Sequence, residues 1–343
     1  MSNKPFASFC FSTYRRPSYL RSTLEKILLQ TFTDFEVIVS DNDENESAKE
    51  IVNSFHDQRI KYFPNGENLG MKKSYNKSLE RSSGSFITMI ADDDPVYPDM
   101  LQTLYELQKE YPGYGMYLGG CDWFCTSYKV GKLYNFKVGT NSCLSQNHDL
   151  DYKQSFSSEN FLEQLFSFGI FPHYLWSTCI IKREILIEKG GIPEYGTPFL
   201  GDYAYLSVMG SHSGCVIINR ALGCQTLHEE NFGRDQNEQL VIAAKNFPLY
   251  IQGKVSGLKN WPVIQNKMQR FVALWLISHL TFLHHYYKQT RKNEAGLRLA
   301  EKDVFGLEFI KKYKTKYLLK KHFPFFHDLL VKVKKLLRGQ NET

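Results

Sequence analysis

Short apolar runs alternate with amphipathic segments through the first 90 residues of the chain. Four apolar runs predict β-strands, at residues 6–12, 35–39, 60–63 and 86–90. Apolar residues recur at helical spacing after each of the first three runs, and they predict helices that begin at Pro17 and span residues 47–55 and 72–81. This alternation predicts an α/β fold whose mainly parallel sheet carries helices on both faces.

The pattern changes twice further along the chain. After a helix at residues 99–109, strand-like segments surround a polar stretch, residues 134–158, which reads as a loop over a site. From about Gln239 the pattern is helical to the end, which predicts a domain at residues 1–235 and a helical extension at 236–343. The apolar run at 271–283 is too short to span a membrane, and the N-terminus lacks the apolar segment of a signal peptide.

Three consecutive carboxylates, Asp92, Asp93 and Asp94, follow the fourth predicted strand. Like charges in a row repel each other, and a bound divalent cation removes that cost. Mg²⁺ and Mn²⁺ prefer oxygen ligands and reach proteins through one or two carboxylates together with substrate phosphates. The alternative is a solvated acidic turn that Pro95 closes.

Polar residues also follow the first two strands. Ser12, Thr13 and Tyr14 end the first strand, and Asp41 ends the second. The carboxyl ends of parallel strands lie at one edge of the sheet, where ligands bind in such folds. We therefore expect these residues and the Asp triplet to form one binding site.

The order of these motifs resembles the family 2 glycosyltransferases of the GT-A fold over roughly residues 5–235. Two segments carry the resemblance, "FSTYRRPSYLRSTLEKILLQTFTDFEVIVSDN" and "NGENLGMKKSYNKSLERSSGSFITMIADDDPVYPDML". The resemblance implies a metal-dependent, inverting transfer of a sugar from a nucleotide-sugar donor. It also implies a place in the synthesis of a bacterial surface polysaccharide, such as O-antigen or capsule.

The resemblance assigns residues to the donor and to the cation, Mg²⁺ or Mn²⁺. Ala91 stands where many relatives have the first Asp of the metal motif. The resemblance then implies that Asp92 lies near the ribose. Turn, solvated and structural roles remain the alternatives for Asp41, for the basic residues and for His228. The implied donor-binding residues are Thr13, Tyr14, Arg16, Asp41, Asn68, Gly70, Lys72, Asp92 and Arg234. The implied metal ligands are Asp93, Asp94 and His228.

A further carboxylate, Asp202, stands where relatives place an acidic pair at the start of a helix, after a loop matched here by residues 190–194. The resemblance implies that Asp202 is the catalytic base that deprotonates the acceptor hydroxyl. The alternative is a helix N-cap, and one residue can do both. Trp123 and Trp176 are candidates for stacking on a sugar, although aromatic residues in strands are more often core.

The net charge of +6 is unevenly distributed. Residues 290–343 contain 14 Lys and Arg against 6 Asp and Glu, so the rest of the chain is slightly acidic. Lys residues interleaved with Leu, Phe and Tyr from residue 309 onward favour a helix on an anionic membrane over a solvated face or a nucleic-acid patch. With lipid-linked glycans as the implied acceptors and seven cysteines expected as free thiols, we predict a cytoplasmic protein peripheral to the inner face of the cell membrane.

Two other functions fit part of this pattern. A nucleotidyltransferase acting on sugar phosphates also uses Asp-bound metal, but it would need a Gly-rich phosphate loop, and "STYRRPSY" contains no Gly. An inactive scaffold that binds a nucleotide sugar or a membrane would not require the intact Asp triplet and Asp202.

Overall fold

The computed structural model describes residues 4–229, 237–290 and 295–323. Within these ranges nine strands form one mixed sheet in the order β3-β2-β1-β4-β8-β5-β9-β7, with β6 paired to β5. The strands are β1 (Ala7–Thr13), β2 (Phe35–Asp41), β3 (Ile60–Pro64), β4 (Phe86–Ile90), β5 (Met116–Cys125), β6 (Gly139–Asn141), β7 (Lys153–Phe156), β8 (Cys179–Lys182) and β9 (Cys215–Leu227).

Helices connect and cover these strands, and a short 3-10 turn at Trp176–Thr178 precedes β8. The helices before β9 are α1 (Pro17–Leu28), α2 (Lys49–Asn53), α3 (Met71–Arg81), α4 (Met100–Glu110), α5 (Tyr128–Tyr134), α6 (Ser158–Phe166), α7 (Arg183–Lys189) and α8 (Gly201–Ser213). The helices after it are α9 (Glu238–Val255), α10 (Trp261–Thr290), α11 (Ala295–Phe305), α12 (Glu308–Lys311) and α13 (Lys314–His322).

The α/β prediction is confirmed, and its parallel sheet is found in β1 to β4. These strands pair in parallel, with Thr13 opposite Asp41 at their carboxyl ends. Beyond β4 the sheet is mixed, since β8 runs antiparallel to both β4 and β5. The polar stretch 134–158 contains the short strands β6 and β7. Only Phe156 of β7 is buried, so the sequence gives this edge strand too weak an apolar pattern to be recognised.

Alternate residues of the central strands face opposite layers, as the two-residue period of a strand requires. Phe9 and Phe11 pack with α1 and α4 on one face, whereas Cys10 faces the layer that contains α3. The same second layer includes α6 and α8 to α11, so helices cover both faces of the sheet. All seven cysteines are buried free thiols, as predicted.

The C-terminal helices belong to this second layer. Ile310 of α12 and Tyr317 of α13 are 0% and 1% exposed in the same apolar cluster as the sheet residue Met89. The first part of the basic tail therefore belongs to the hydrophobic core. The sequence pattern of Lys and apolar residues did not indicate this. None of the helices in the described ranges has the length and apolar character needed to cross a bilayer.

Candidate active site

The backbone and side chain of Asp92 are fixed by β1 and α1. The Thr13 hydroxyl donates to Asp92 Oδ2 at 3.1 Å, and the Thr23 hydroxyl donates to the Asp92 carbonyl at 2.8 Å. Thr23 lies on the buried face of α1 beside Leu24. These two bonds hold the start of the acidic triplet against the end of β1, as the convergence of strand ends predicted.

Asp93 is the centre of a charged cluster. Arg16 Nη1 donates to Asp93 Oδ2 at 2.8 Å and to Asp92 Oδ1 at 3.4 Å. The Nε2 atom of His228 lies 3.2 Å from the same Asp93 Oδ2, and the His228 ring packs against Tyr19 at 4.9 Å between centroids. Four predicted residues, Arg16, Asp92, Asp93 and His228, therefore meet at one point.

The pKa values of the three carboxyl groups of the triplet are shifted in different directions. Burial and the neighbouring Asp93 charge raise the pKa of Asp92 to about 6. Burial also raises the pKa of Asp93. The His228 hydrogen bond and the Arg16 charge outweigh this effect of burial and hold the pKa of Asp93 below its usual value. Burial and the Asp93 charge raise the pKa of Asp94 well above its usual value. Asp93 is thus the triplet member most firmly ionised.

Asp94 is oriented toward β9 and away from the Arg16 cluster. Its Oδ1 accepts a hydrogen bond from the Thr226 backbone at 2.9 Å. The charge of Asp202 is among the causes that raise the pKa of Asp94, so the two carboxyl groups lie close enough to interact electrostatically. Asp94 therefore joins the triplet to β9, and Asp93 fits the predicted ligand role better.

The donor atoms of Asp93 and His228 suit a shared cation. Adjacent ligands of an octahedral Mg²⁺ at about 2.1 Å lie about 3 Å apart. The 3.2 Å between Asp93 Oδ2 and His228 Nε2 matches that spacing. In the ranges the structure describes, no group of three His, Cys, Asp or Glu side chains is placed to hold a metal ion. Mg²⁺ usually keeps several waters and binds proteins through one or two carboxylates together with substrate phosphates.

Asp202 lies in the first turn of α8, at the edge of a cavity of about 320 Å³. Leu200 is the N-cap of this helix and no side chain caps it, so Asp202 does not have the alternative N-cap role. Asp202 Oδ1 accepts from the Trp176 backbone N–H at 3.3 Å, and burial raises the Asp202 pKa to about 6. The cavity lining includes His173, Tyr174, Phe199, Gln225 and Trp275. A carboxylate with this pKa can accept a proton near neutral pH.

Asp41 is fully buried and both of its oxygens are hydrogen-bonded. Its Oδ1 accepts from the Asp43 backbone at 3.0 Å, and its Oδ2 accepts from the Ala48 backbone at 3.0 Å and from the Tyr62 hydroxyl at 2.8 Å. These contacts fit the turn role of Asp41, and its base- or ribose-binding role stays a prediction.

The neighbouring Asn42 links this turn to the loop before α3. Asn42 Nδ2 donates to Asn68 Oδ1 at 2.8 Å, and the same Asn68 oxygen accepts from Gly70 N at 2.9 Å. Gly70 has a φ of 77°, which favours glycine, and Lys72 follows in the first turn of α3. Asn68, Gly70 and Lys72 thus lie at the same edge of the sheet, and their donor-binding roles stay predictions.

Two other residues were predicted to bind the donor, Tyr14 and Arg234. Tyr14 is 38% exposed, with the Arg15 guanidinium 4.9 Å from its ring centre. Arg234 lies outside the described residues. A donor-binding role for each of them stays a prediction.

Sequence reasoning did not identify three residues of the site, Thr23, Gln225 and Trp275. It offered two other tryptophans as candidates for stacking on a sugar. Trp176 packs between Tyr75 and Tyr205 with ring centroids at 5.4 and 5.9 Å, and Trp123 stacks on His173 at 4.4 Å. The tryptophan that lines the Asp202 cavity is Trp275 of α10. One feature of the sequence could have identified Thr23, namely a hydroxyl on the apolar face of a predicted helix. No such feature marked Gln225 or Trp275.

Curated relatives match parts of the chain. A GalNAc(5)-diNAcBac-PP-undecaprenol beta-1,3-glucosyltransferase of Campylobacter jejuni is 35% identical over 120 residues, 34% of this chain and 38% of the relative. The glycosyltransferase GlyA of Streptococcus pneumoniae is 33% identical over 100 residues, 29% of this chain and 14% of the relative. The matched segments thus span less than two fifths of either relative.

Solved structures resemble nearly the whole chain at low identity. S. aureus TarS 1-349 in complex with UDP-GlcNAc has a TM-score of 0.59 at 15% identity, covering 92% of this chain and 93% of that one. The mannosyltransferase PcManGT of Pyrobaculum calidifontis, in complex with GDP-Man and Mn²⁺, has a TM-score of 0.54 at 14% identity, covering 94% and 88%. These likenesses support the GT-A fold. The profile of the family described as "Glycosyl transferase family 2" matches residues 8–188, more than half of the chain, and the protein therefore belongs to this family of glycosyltransferases.

Proposed function

We propose that the protein is a metal-dependent, inverting glycosyltransferase that moves a sugar from a nucleotide-sugar donor to a hydroxyl of a lipid-linked glycan. The product would belong to a bacterial surface polysaccharide such as O-antigen or capsule. The observation that carries the proposal is a pair of carboxylates in different surroundings, Asp93 in a charged cluster and Asp202 at the edge of a cavity. The ionised Asp93 lies beside Arg16 and His228, and Asp202 has a pKa near neutrality.

The two carboxylates divide the chemistry. Asp93 and His228 would hold a divalent cation, which supplies charge stabilisation for the departing diphosphate. Arg16 adds a fixed positive charge at the same place. Asp202 takes the proton of the acceptor hydroxyl. At the same time the oxygen of that hydroxyl bonds to the anomeric carbon, and the bond between the anomeric carbon and the diphosphate breaks. Attack opposite the leaving group inverts the anomeric configuration.

The similar proteins support the substrate classes of this proposal. The solved structures of TarS and PcManGT contain UDP-GlcNAc and GDP-Man, and PcManGT also contains Mn²⁺. The name of the Campylobacter relative describes an undecaprenol-linked glycan as the acceptor. We accordingly expect a nucleotide-sugar donor, Mg²⁺ or Mn²⁺ as cofactor and a lipid-linked glycan as acceptor.

A donor screen tests the proposal. The full chain is incubated with UDP-, GDP-, CDP- and dTDP-sugars in the presence of Mn²⁺ or Mg²⁺. It should slowly hydrolyse one donor class and release the nucleoside diphosphate. A chelator should abolish that release, and added metal should restore it. Turnover that the chelator leaves unchanged would refute the metal role. Release of diphosphate from a nucleoside triphosphate and a sugar phosphate would instead identify a nucleotidyltransferase.

We propose that the boundary at residue 235 divides the chain into two parts with different functional roles. Residues 1–235 supply the donor site and the base, and residues 236–343 supply acceptor and membrane contacts. The two parts share one apolar cluster, because Phe166 of α6 packs against Phe247 of α9 and Phe271 of α10. The helical part is therefore not expected to fold alone.

The proposed membrane contact uses the basic C-terminal region. In α13, Leu318 is 43% exposed, and Phe323, at its C-cap, is 57% exposed; α13 itself contains four lysines and no acidic residue. Exposed apolar side chains among lysines suit the interface of an anionic bilayer. This contact would place the protein on the inner face of the cell membrane.

Two truncations separate the membrane role from the core role. Deletion of residues 324–343 should weaken binding to vesicles with about a third anionic lipid, because each lost cation contributes about 1 kcal/mol. Deletion of residues 311–343 should lower the free energy of unfolding by about 3 kcal/mol or more, because it also removes the buried Tyr317. Circular dichroism and vesicle sedimentation measure the two effects. Equal melting temperatures for the two truncations would contradict the core role.

A further inference from the structure

The cavity that Asp202 lines, here called the Asp202 cavity, has largely aromatic walls. Four aromatic side chains contribute to its lining, those of Tyr174, Phe199, Tyr203 and Trp275. The Trp275 indole stacks on the ring of His279, with 5.0 Å between centroids and 9° between planes, which fixes its position. The cavity volume of about 320 Å³ is at the lower end of the range for ligand pockets, and it suits one sugar ring better than a longer glycan.

Gln225 and His173 form a polar pair in the same lining. His173 Nε2 lies 3.4 Å from Gln225 Oε1. Burial lowers the pKa of His173 to about 4, so its ring is neutral near pH 7 and carries one N–H. In the tautomer that has this proton on Nε2, His173 donates to the Gln225 carbonyl oxygen, which leaves the Gln225 amide N–H groups to donate to a ligand. A sugar hydroxyl is a matching acceptor.

Asp202 determines the charge that a ligand in this cavity meets. Its pKa of about 6 makes it mostly ionised at pH 7. Burial and the Asp202 charge raise the pKa of Tyr203 to about 12, and burial raises the pKa of Tyr174 well above its usual value, so both tyrosines are neutral. An anionic sugar would bring a second negative charge close to Asp202, and like charges repel strongly in a buried site. These residues therefore favour an uncharged sugar.

We propose that the Asp202 cavity binds the terminal sugar of the acceptor as an uncharged pyranose, and that Gln225 determines specificity by binding one of its hydroxyl groups. The apolar C–H face of the ring packs on the aromatic walls. Another hydroxyl of the same ring lies against Asp202 and attacks the donor. His173 is a positioning residue, because it orients the Gln225 amide. The assignment rests on the proposed function, which it deepens by naming the class of acceptor sugar.

Methyl glycosides of neutral hexoses and N-acetylhexosamines are suitable probes for the full chain. Titration followed by saturation-transfer NMR at millimolar concentration should show that at least one of them binds. At least one of its single deoxy analogues should bind at least tenfold more weakly, because a missing hydroxyl leaves a polar group of the cavity unpaired. Gln225→Met, which keeps the length of the side chain without its amide, should weaken binding of the parent glycoside at least tenfold and remove the discrimination at one hydroxyl position.

Gln58→Met is the matched control for this variant. Gln58 is exposed in the loop before β3, and the same change there should keep both the affinity and the discrimination of the wild type. Gln225→Asn, which withdraws the amide by one methylene group, provides the same comparison if Gln225→Met does not fold. Discrimination that persists at every position in the Gln225 variant would overturn the role of Gln225.

The charge preference has its own test. The uronic acid with the ring configuration of the bound glycoside should bind at least tenfold more weakly than that glycoside at pH 7, and Asp202→Asn should reduce the difference. Equal affinities in the wild type would overturn the assignment of an uncharged sugar. Donor hydrolysis without binding of any glycoside would refute the sugar site alone, whereas glycoside discrimination without hydrolysis of any donor would refute the proposed transferase function alone.

Discussion

Replacement of Asp202 by Asn is expected to lower the rate of sugar transfer by about 10²- to 10⁴-fold, while donor affinity stays within a few-fold. Asn keeps the shape of the side chain and an oxygen that can accept the Trp176 backbone hydrogen bond. It cannot take a proton from the acceptor. Steady-state kinetics with varied donor, together with calorimetric titration of the nucleotide, separates the rate from donor binding.

Glu194→Gln is the matched control for this variant. Glu194 is an exposed carboxylate in the loop before α8, and its Oε1 accepts only a local backbone hydrogen bond from Gly196 among the contacts described. The same carboxyl-to-amide change there should leave transfer near the wild-type rate. A collapse of donor affinity in Asp202→Asn would instead make Asp202 a donor-binding or structural residue.

The wild-type rate should also depend on pH through Asp202. Because burial raises the Asp202 pKa to about 6, the base is mostly protonated at pH 5 and mostly ionised at pH 7. Transfer should rise about tenfold per pH unit below pH 6 and level off above it. Asp202→Asn should abolish this rise in its residual activity.

The sequence was sufficient to predict how the edge of the sheet that carries the Asp triplet is built. Apolar runs ending in polar residues define strands β1, β2 and β4, and parallel pairing requires their carboxyl ends to meet. The contact between Thr13 and Asp92, 79 residues apart, follows from that topology alone. The resemblance added His228, whose position beside Asp93 depends on the pairing of β9 with β5.

Other parts of the site depend on packing that no local pattern records. Trp275 reaches the Asp202 cavity only because the long helix α10 packs on α6, far from it in sequence. Asp41 has the sequence position of a ligand-binding residue, and its oxygens accept hydrogen bonds from local backbone groups and Tyr62. The membrane character of the tail was inferred from composition, which does not distinguish a buried Tyr317 from an exposed Leu318.

Replacement of Asp93 by Asn should remove the contribution of Mn²⁺ to donor binding, whereas Asp94→Asn should retain it. The affinity gained from metal is expected to fall about 100-fold or more in Asp93→Asn, since even outer-shell changes cost metal sites 10- to 100-fold. Asp94→Asn keeps an oxygen for the Thr226 backbone and leaves the Arg16 and His228 contacts of Asp93 in place. Calorimetric titration of nucleotide with and without Mn²⁺ measures both variants, and unchanged melting temperatures confirm that each is folded. If Asp94→Asn loses the metal effect and Asp93→Asn keeps it, the cation lies on the β9 side of the triplet and the roles of the two carboxylates are exchanged.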